Sequence, residues 1–215
     1  MLTAAIVYVQ GSGGNLLARA LSLDPKTVAY LPENLAIQQS TYSLDSAERL
    51  AWYNNWNAQN WTHTEKEIDI WYHTGLTDFV NYETSELKLI DRFHPLMFEN
   101  ETKQATLWDS VNRWQHVIFI KYQDASLDKI IQLAKLKRTD LTHRYQIPKE
   151  IESFQRLTAS IPKHLDIWWE DLLHLDSFIS SVKNIAFQIN IEFNVDLATT
   201  LWQDWHKNTT LLTNE

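Results

Sequence analysis

An apolar run, Ala4-Ala5-Ile6-Val7-Tyr8-Val9, ends in Gln10-Gly11-Ser12-Gly13-Gly14, and the residues that follow, Asn15-Leu16-Leu17-Ala18-Arg19-Ala20-Leu21, carry a helical pattern. Gly11, Gly13 and Gly14 are three of the four glycines among 215 residues, so the cluster is not an accident of composition. Glycine permits positive φ and lets other groups approach the backbone closely. A buried strand that turns through glycines straight into a helix aims several backbone N–H groups at one point. The helix dipole adds partial positive charge there, and the guest such a loop suits is a phosphate or sulfate. The simpler alternative is a tight strand-to-helix turn with no ligand.

The loop departs from two well-known phosphate-binding patterns. A Walker A loop needs G-x-x-x-x-G-K-[ST], yet no basic residue follows the glycines before Arg19, and Asn15 stands where a magnesium-binding hydroxyl is sought. In the dinucleotide fingerprint G-x-G-x-x-G, Gly11 and Gly13 supply the first two glycines, but Leu16 replaces the third.

Further along, the patterning predicts strands at 4–9, 27–31, 87–90, 116–122 and 165–169. Helices are expected at 14–22, 43–60, 65–73, from 77 onward, at 107–114, 126–135, 150–160, 177–190 and 197–206. Ser126 is a candidate N-cap, and 139–149, polar and ending near Pro148, reads as a loop. The run His116–Tyr122 is strongly apolar and is expected at the sheet centre. Alternating strands and helices predict one α/β domain over 1–215, with a mainly parallel sheet between two helical layers. An aromatic-rich helical insert is expected at 43–82. In such sheets ligands sit at the carboxyl ends of the strands. Gly11–Asn15, Arg92–His94 and Lys121–Ser126 would gather there.

Composition narrows the function classes. A net charge of −8 argues against a nucleic-acid or anionic-membrane surface. The absence of cysteine removes disulfides, thiolate catalysis and cysteine metal sites. The first apolar run is too short for a signal core or a membrane span, so a cytoplasmic protein is expected. The histidines show no H-E-x-x-H or similar spacing, so no metal is expected. Ten tryptophans are many; most are expected to fill the core, and those at 52–71 would also suit a sugar-stacking platform.

Taken in order, four segments resemble the sulfotransferases. Gly11-Ser12-Gly13-Gly14-Asn15-Leu16-Leu17 resembles the family's 5′-phosphosulfate loop. Arg92-Phe93-His94-Pro95 resembles the strand end that carries its catalytic histidine. Lys121 stands where an arginine usually binds the 3′-phosphate, and Trp169-Glu170-Asp171-Leu172-Leu173 matches a late Y-E-D-L. The resemblance implies a P-loop-like three-layer fold that binds 3′-phosphoadenosine 5′-phosphosulfate without a metal. It implies that Gly11, Ser12, Gly13, Gly14, Asn15 and Leu16 cradle the phosphosulfate. Lys121 and Ser126 would hold the 3′-phosphate, His94 would be the general base, and Glu170-Asp171 would be mainly structural, with Asp171 capping or orienting the next helix. The family's basic residue before Ser-Gly is Gly11 here, and Lys121 keeps the charge of the usual arginine without its bidentate geometry. His206 and Lys207 are candidates to replace the basic loop that closes over the nucleotide, and Arg19 would face either nucleotide or solvent.

The expected activity is sulfuryl transfer to a hydroxyl or amine of a glycan, lipid or small-molecule acceptor. The alternatives are a non-catalytic nucleotide- or anion-binding protein on the same fold and a P-loop-type kinase. The kinase is disfavoured by the missing loop lysine and adjacent hydroxyl.

Overall fold

A computed structural model describes residues 2–24, 27–29, 88–93, 114–137 and 147–210. Among these described residues five strands run in chain order: β1 (Leu2–Tyr8), β2 (Thr27–Ala29), β3 (Lys88–Phe93), β4 (His116–Lys121) and β5 (Leu165–Trp168). They form one sheet of order β2-β3-β1-β4-β5, and every neighbouring pair is parallel. The helices among the described residues are α1 (Gly14–Leu21), α2 (Leu127–Lys137), α3 (Ile147–Ser160), α4 (Leu175–Gln188) and α5 (Val195–Thr210), with 3-10 turns at Asp124–Ser126 and Trp169–Leu173. The protein is therefore mixed α/β with a parallel sheet, as the alternating pattern predicts.

β1, not β4, is the middle strand, with β3 and β4 on either side. Its residues from Ala4 to Tyr8, with Val9 just beyond, are all buried, and so are Val117 to Ile120 of β4. Side chains alternate between faces along a strand, so burial of successive residues means that both faces are covered. On one face Phe119 meets Phe154 of α3 edge-on, with ring centroids 5.6 Å apart. Helix α1 is buried on nearly every side, including Arg19, and packs against β3, α4 and α5. Arg19 is 3% exposed, so of its two expected settings solvent is not the one observed.

Local chemistry sets the helix ends. The Asn194 carboxamide accepts the Leu197 N–H at 3.0 Å and caps α5. At the end of α4, Asn190 takes a left-handed φ of 57°, and Ile191 N–H reaches back to Ala186 O at 2.8 Å. With Asn190 N–H on Phe187 O, this is a Schellman closure with asparagine in the place glycine usually takes.

Several boundaries differ from the sequence expectation. Helix α3 starts at Ile147, before the expected 150, because Pro148 falls in its first turn, where its missing N–H breaks no helical bond. β3 runs through Arg92 to Phe93, so Arg92 is within the strand and not beyond it. β5 ends at Trp168, where the chain tightens into the 3-10 turn. A 3-10 turn precedes α2, and Ser126 belongs to that turn and is not its helical cap. The expected insert at 43–82, the helix at 107–113 and His94 lie outside the described residues.

Candidate functional site

The strand order fixes where a ligand would sit. From β1 the chain crosses towards β2, whereas from β4 it crosses the other way towards β5. The carboxyl ends of β1 and β4 therefore flank the topological switch point, the usual crevice for ligands in open parallel sheets. The glycine loop leaves β1 there, and Tyr122–Ser126 leave β4 beside it.

The loop is built by two glycine conformations. Val9 O accepts the Ser12 N–H at 3.0 Å, closing a turn with Gly11 in its third position at φ 92°. A positive φ there is the mark of a type II turn, which favours glycine. The Ser12 hydroxyl also donates to Val9 O, at 2.6 Å, so this buried side chain serves the turn. Gly13, at φ 86°, begins α1, and the first helical bond runs from Leu17 N–H to Gly13 O. The amides at the start of α1 thus point out of its N-terminus.

Each glycine also admits a close neighbour. A Cβ at Gly11 would lie 2.6 Å from Ile130 O, one at Gly13 would lie 2.9 Å from Leu172 Cδ1, and one at Gly14 would lie 2.5 Å from the Tyr8 ring. The loop is thus walled by α2 on one side and by the Trp169–Leu173 turn on the other. Close packing at Gly11 and Gly14, and positive φ at Gly11 and Gly13, account for glycine at these three places.

Among the described residues, several carboxylates near the crevice accept hydrogen bonds. Glu150 of α3 is fully buried, and its Oε1 accepts the Gln10 N–H at 2.8 Å. Glu170 Oε1 accepts the Gln123 N–H at 3.0 Å and the Ser126 hydroxyl, tying the chain after β4 to the chain after β5. Asp171 accepts the Ser181 hydroxyl at 3.0 Å. It therefore orients α4 without capping it, since α4 has no side-chain cap. Tyr122 stacks on Phe154 with centroids 5.9 Å apart. Burial first, then the charges of Asp124 and Glu150, raise the Tyr122 pKa above its ordinary value of 10.0.

Because the neutral phenol is favoured only in the fold, the unfolded chain ionises first as pH rises. The stabilisation from Tyr122 is complete below about pH 10 and is lost as pH climbs above it. Tyr122→Phe is therefore expected to flatten the alkaline decline in melting temperature. A decline unchanged between about pH 9 and 11 would show that the phenol does not contribute.

Lys121 does not face the crevice unpaired. Its Nζ lies 2.6 Å from Asp166 Oδ2 and 3.4 Å from His164 Nε2. His164 is itself placed by Ile161 O, at 2.5 Å from Nδ1, and by the Phe119 ring. The structure thus gathers Gly11–Leu16, Tyr122 and Ser126 at one edge, with Lys121 turned towards β5. The missed residues are Glu150 and Tyr8. Glu150 is separated from Gln10 by 140 positions, and no local pattern signals such a contact.

Near the loop, Trp202 Nε1 donates to Leu172 O at 2.8 Å, and its ring stacks on His206 with centroids 4.5 Å apart. His206 is thereby held along α5, and Lys207 is exposed. Trp202→Phe removes the bond to Leu172 and is expected to cost about 1 kcal/mol. Urea denaturation checks this, and an unchanged midpoint would contradict it.

Among the described residues, no group of three or more His, Asp or Glu side chains could hold a metal ion. No helix among them is long and apolar enough to cross a membrane. In comparisons with known proteins, no family model matches the chain and no curated protein does. Fold and loop define its class: a parallel α/β protein with a glycine-rich strand-to-helix turn at its switch point.

Proposed function

We propose that this protein binds the phosphosulfate end of 3′-phosphoadenosine 5′-phosphosulfate on the Gly11–Leu16 loop. It then transfers the sulfuryl group to a hydroxyl or amine of a small-molecule, lipid or glycan acceptor. The observation that carries this reading is the glycine loop closing the middle strand at the switch point, with the N-terminus of α1 behind it. The right-handed crossovers usual between parallel strands would put α1 on one face of the sheet and α2 with α3 on the other. This supports a three-layer, P-loop-like domain of the sulfotransferase kind, and the four motif segments support it in sequence.

In this reading the amides of Gly13–Leu16 hold the sulfonate and 5′-phosphate. The acceptor oxygen or nitrogen bonds to sulfur as the bond from sulfur to the 5′-phosphate oxygen breaks. The acceptor proton passes to the His94 imidazole, and 3′-phosphoadenosine 5′-phosphate leaves. Lys121 and Ser126 would anchor the 3′-phosphate by exchanging their present partners, Asp166 and Glu170, for it. One observation favours a second reading, nucleotide or anion binding without transfer. Gly11 stands where the resembled family carries a basic residue, and Lys121 is already ion-paired.

Calorimetric titration with 3′-phosphoadenosine 5′-phosphate tests the reading, with Mg²⁺–ATP for comparison. The expected result is binding on the order of micromolar without metal. Loss of transfer with retained binding in His94→Ala would mark the enzyme. Binding of Mg²⁺–ATP alone would move the assignment to a kinase.

A further inference from the structure

Lys121, the proposed anchor of the 3′-phosphate, is engaged by two residues of the chain entering β5. Its Nζ lies 2.6 Å from Asp166 Oδ2 and 3.4 Å from His164 Nε2, and His164 Nε2 lies 3.3 Å from Asp166 Oδ1. On the other side of the imidazole, Nδ1 is 2.5 Å from Ile161 O. A carbonyl oxygen only accepts, so Nδ1 carries the hydrogen. The neutral ring therefore presents a lone pair at Nε2, which accepts from the Lys121 ammonium and cannot bond the Asp166 carboxylate. A second proton reverses both relations. Nε2–H then donates to Asp166 Oδ1, and the imidazolium repels the ammonium. Among the described residues, the charged groups facing His164 are Lys121 from β4 and Asp166 from β5. The chain just after α3 supplies the Ile161 carbonyl, and β4 also supplies the uncharged Phe119 ring.

We propose that His164 is a positioning residue for Lys121. Protonated, it takes over Asp166 and frees the lysine for the ligand's phosphate; neutral, it leaves the lysine ion-paired. This rests on the reading of Lys121 as the phosphate anchor and adds the regulation of that site. Histidine is the side chain whose charge ordinarily changes between about pH 5 and 8, so the hand-over makes nucleotide affinity depend on pH. The sign follows from linkage. Binding that draws Lys121 away from Asp166 favours the protonated ring, so a fall in pH strengthens binding, and binding in turn takes up protons.

The test is calorimetric titration with 3′-phosphoadenosine 5′-phosphate at low salt, at about pH 6 and about pH 8, into the wild type, His164→Asn and His164→Phe. Asparagine keeps a donor for Ile161 O, phenylalanine keeps a ring against Phe119, and neither titrates. The ligand's own phosphates also change charge in this range, and the ratio of wild-type to variant affinity removes that contribution. The ratio is expected to rise about threefold from the higher to the lower pH. In buffers of different ionisation enthalpy, the wild type is expected to take up a larger fraction of a proton on binding than either variant. A ratio that stays flat or falls, with binding retained, overturns the hand-over while leaving the phosphate site standing. Asp166→Asn, which removes the anion competing for Lys121, is expected to bind the ligand a few-fold more tightly at about pH 8. Affinity that is unchanged or weaker in that variant contradicts the competition and overturns the proposal. If the wild type and all three variants fail to bind at either pH, the reading of Lys121 as anchor and this inference fail together.

Discussion

Gly11→Ala is expected to destabilise the protein by about 3 kcal/mol or more, a fall of about 6–12 °C in melting temperature for a chain of this size. Two independent costs combine. The φ of 92° is one that alanine adopts only under strain. The new Cβ would also stand 2.6 Å from Ile130 O, a backbone atom of α2 that cannot swing aside as a side chain does. Gly13→Ala provides the internal comparison. Its φ of 86° carries similar strain, but its overlap is with Leu172 Cδ1, the far end of a flexible side chain. It should therefore cost less. A Gly11→Ala protein melting within a degree or two of the wild type would contradict the tight approach of loop and helix.

Phe119→Ala is expected to cost about 3–5 kcal/mol, measured by urea or guanidinium denaturation. Phe119 is fully buried in β4 and meets Phe154 edge-on at 5.6 Å and His164 at 5.0 Å. Removing the ring leaves a cavity between the sheet and α3 and forfeits both aromatic contacts. It also frees the His164 ring, which helps to place Lys121. The loss should therefore exceed that of Phe178→Leu, a milder truncation at another fully buried position. Equal losses would contradict this packing of Phe119.

The parts of the fold that could be read from sequence are those governed by short-range rules. The strands β1 and β4 announce themselves as apolar runs, and the glycine loop as a composition anomaly followed by a 3.6-residue period. Pro148 misled because a proline reads as a breaker, although it sits comfortably in a helix's first turn. The middle position of β1 could not be read, because Ala4 and Ala5 are weakly apolar and strand order is set by crossovers, not by local hydropathy. The candidate site divides in the same way. Gly11 and Gly13 were visible by type. That Lys121 pairs with Asp166 depends on the register of β4 and β5, with Phe119 opposite Asp166. That Glu150 reaches Gln10 depends on where α3 packs. Neither dependence leaves a mark in adjacent residues.

The position of β1 has a consequence for how the chain acquires its structure. Of the described strands β1 is made before the others, yet it is flanked by β3 and β4, both far downstream, while β2, the next described strand, pairs with β3 instead. Among the described residues no hairpin or sequence-adjacent strand pairs with it, and the entropy of closing a long loop must be met before its pairing with β3 or β4 forms. An apolar segment therefore waits unpaired through much of translation, open to wrong partners. The order of synthesis and the order of assembly run in opposite senses here, so the yield of native protein should respond to chaperone supply and growth temperature more than its equilibrium stability alone would suggest.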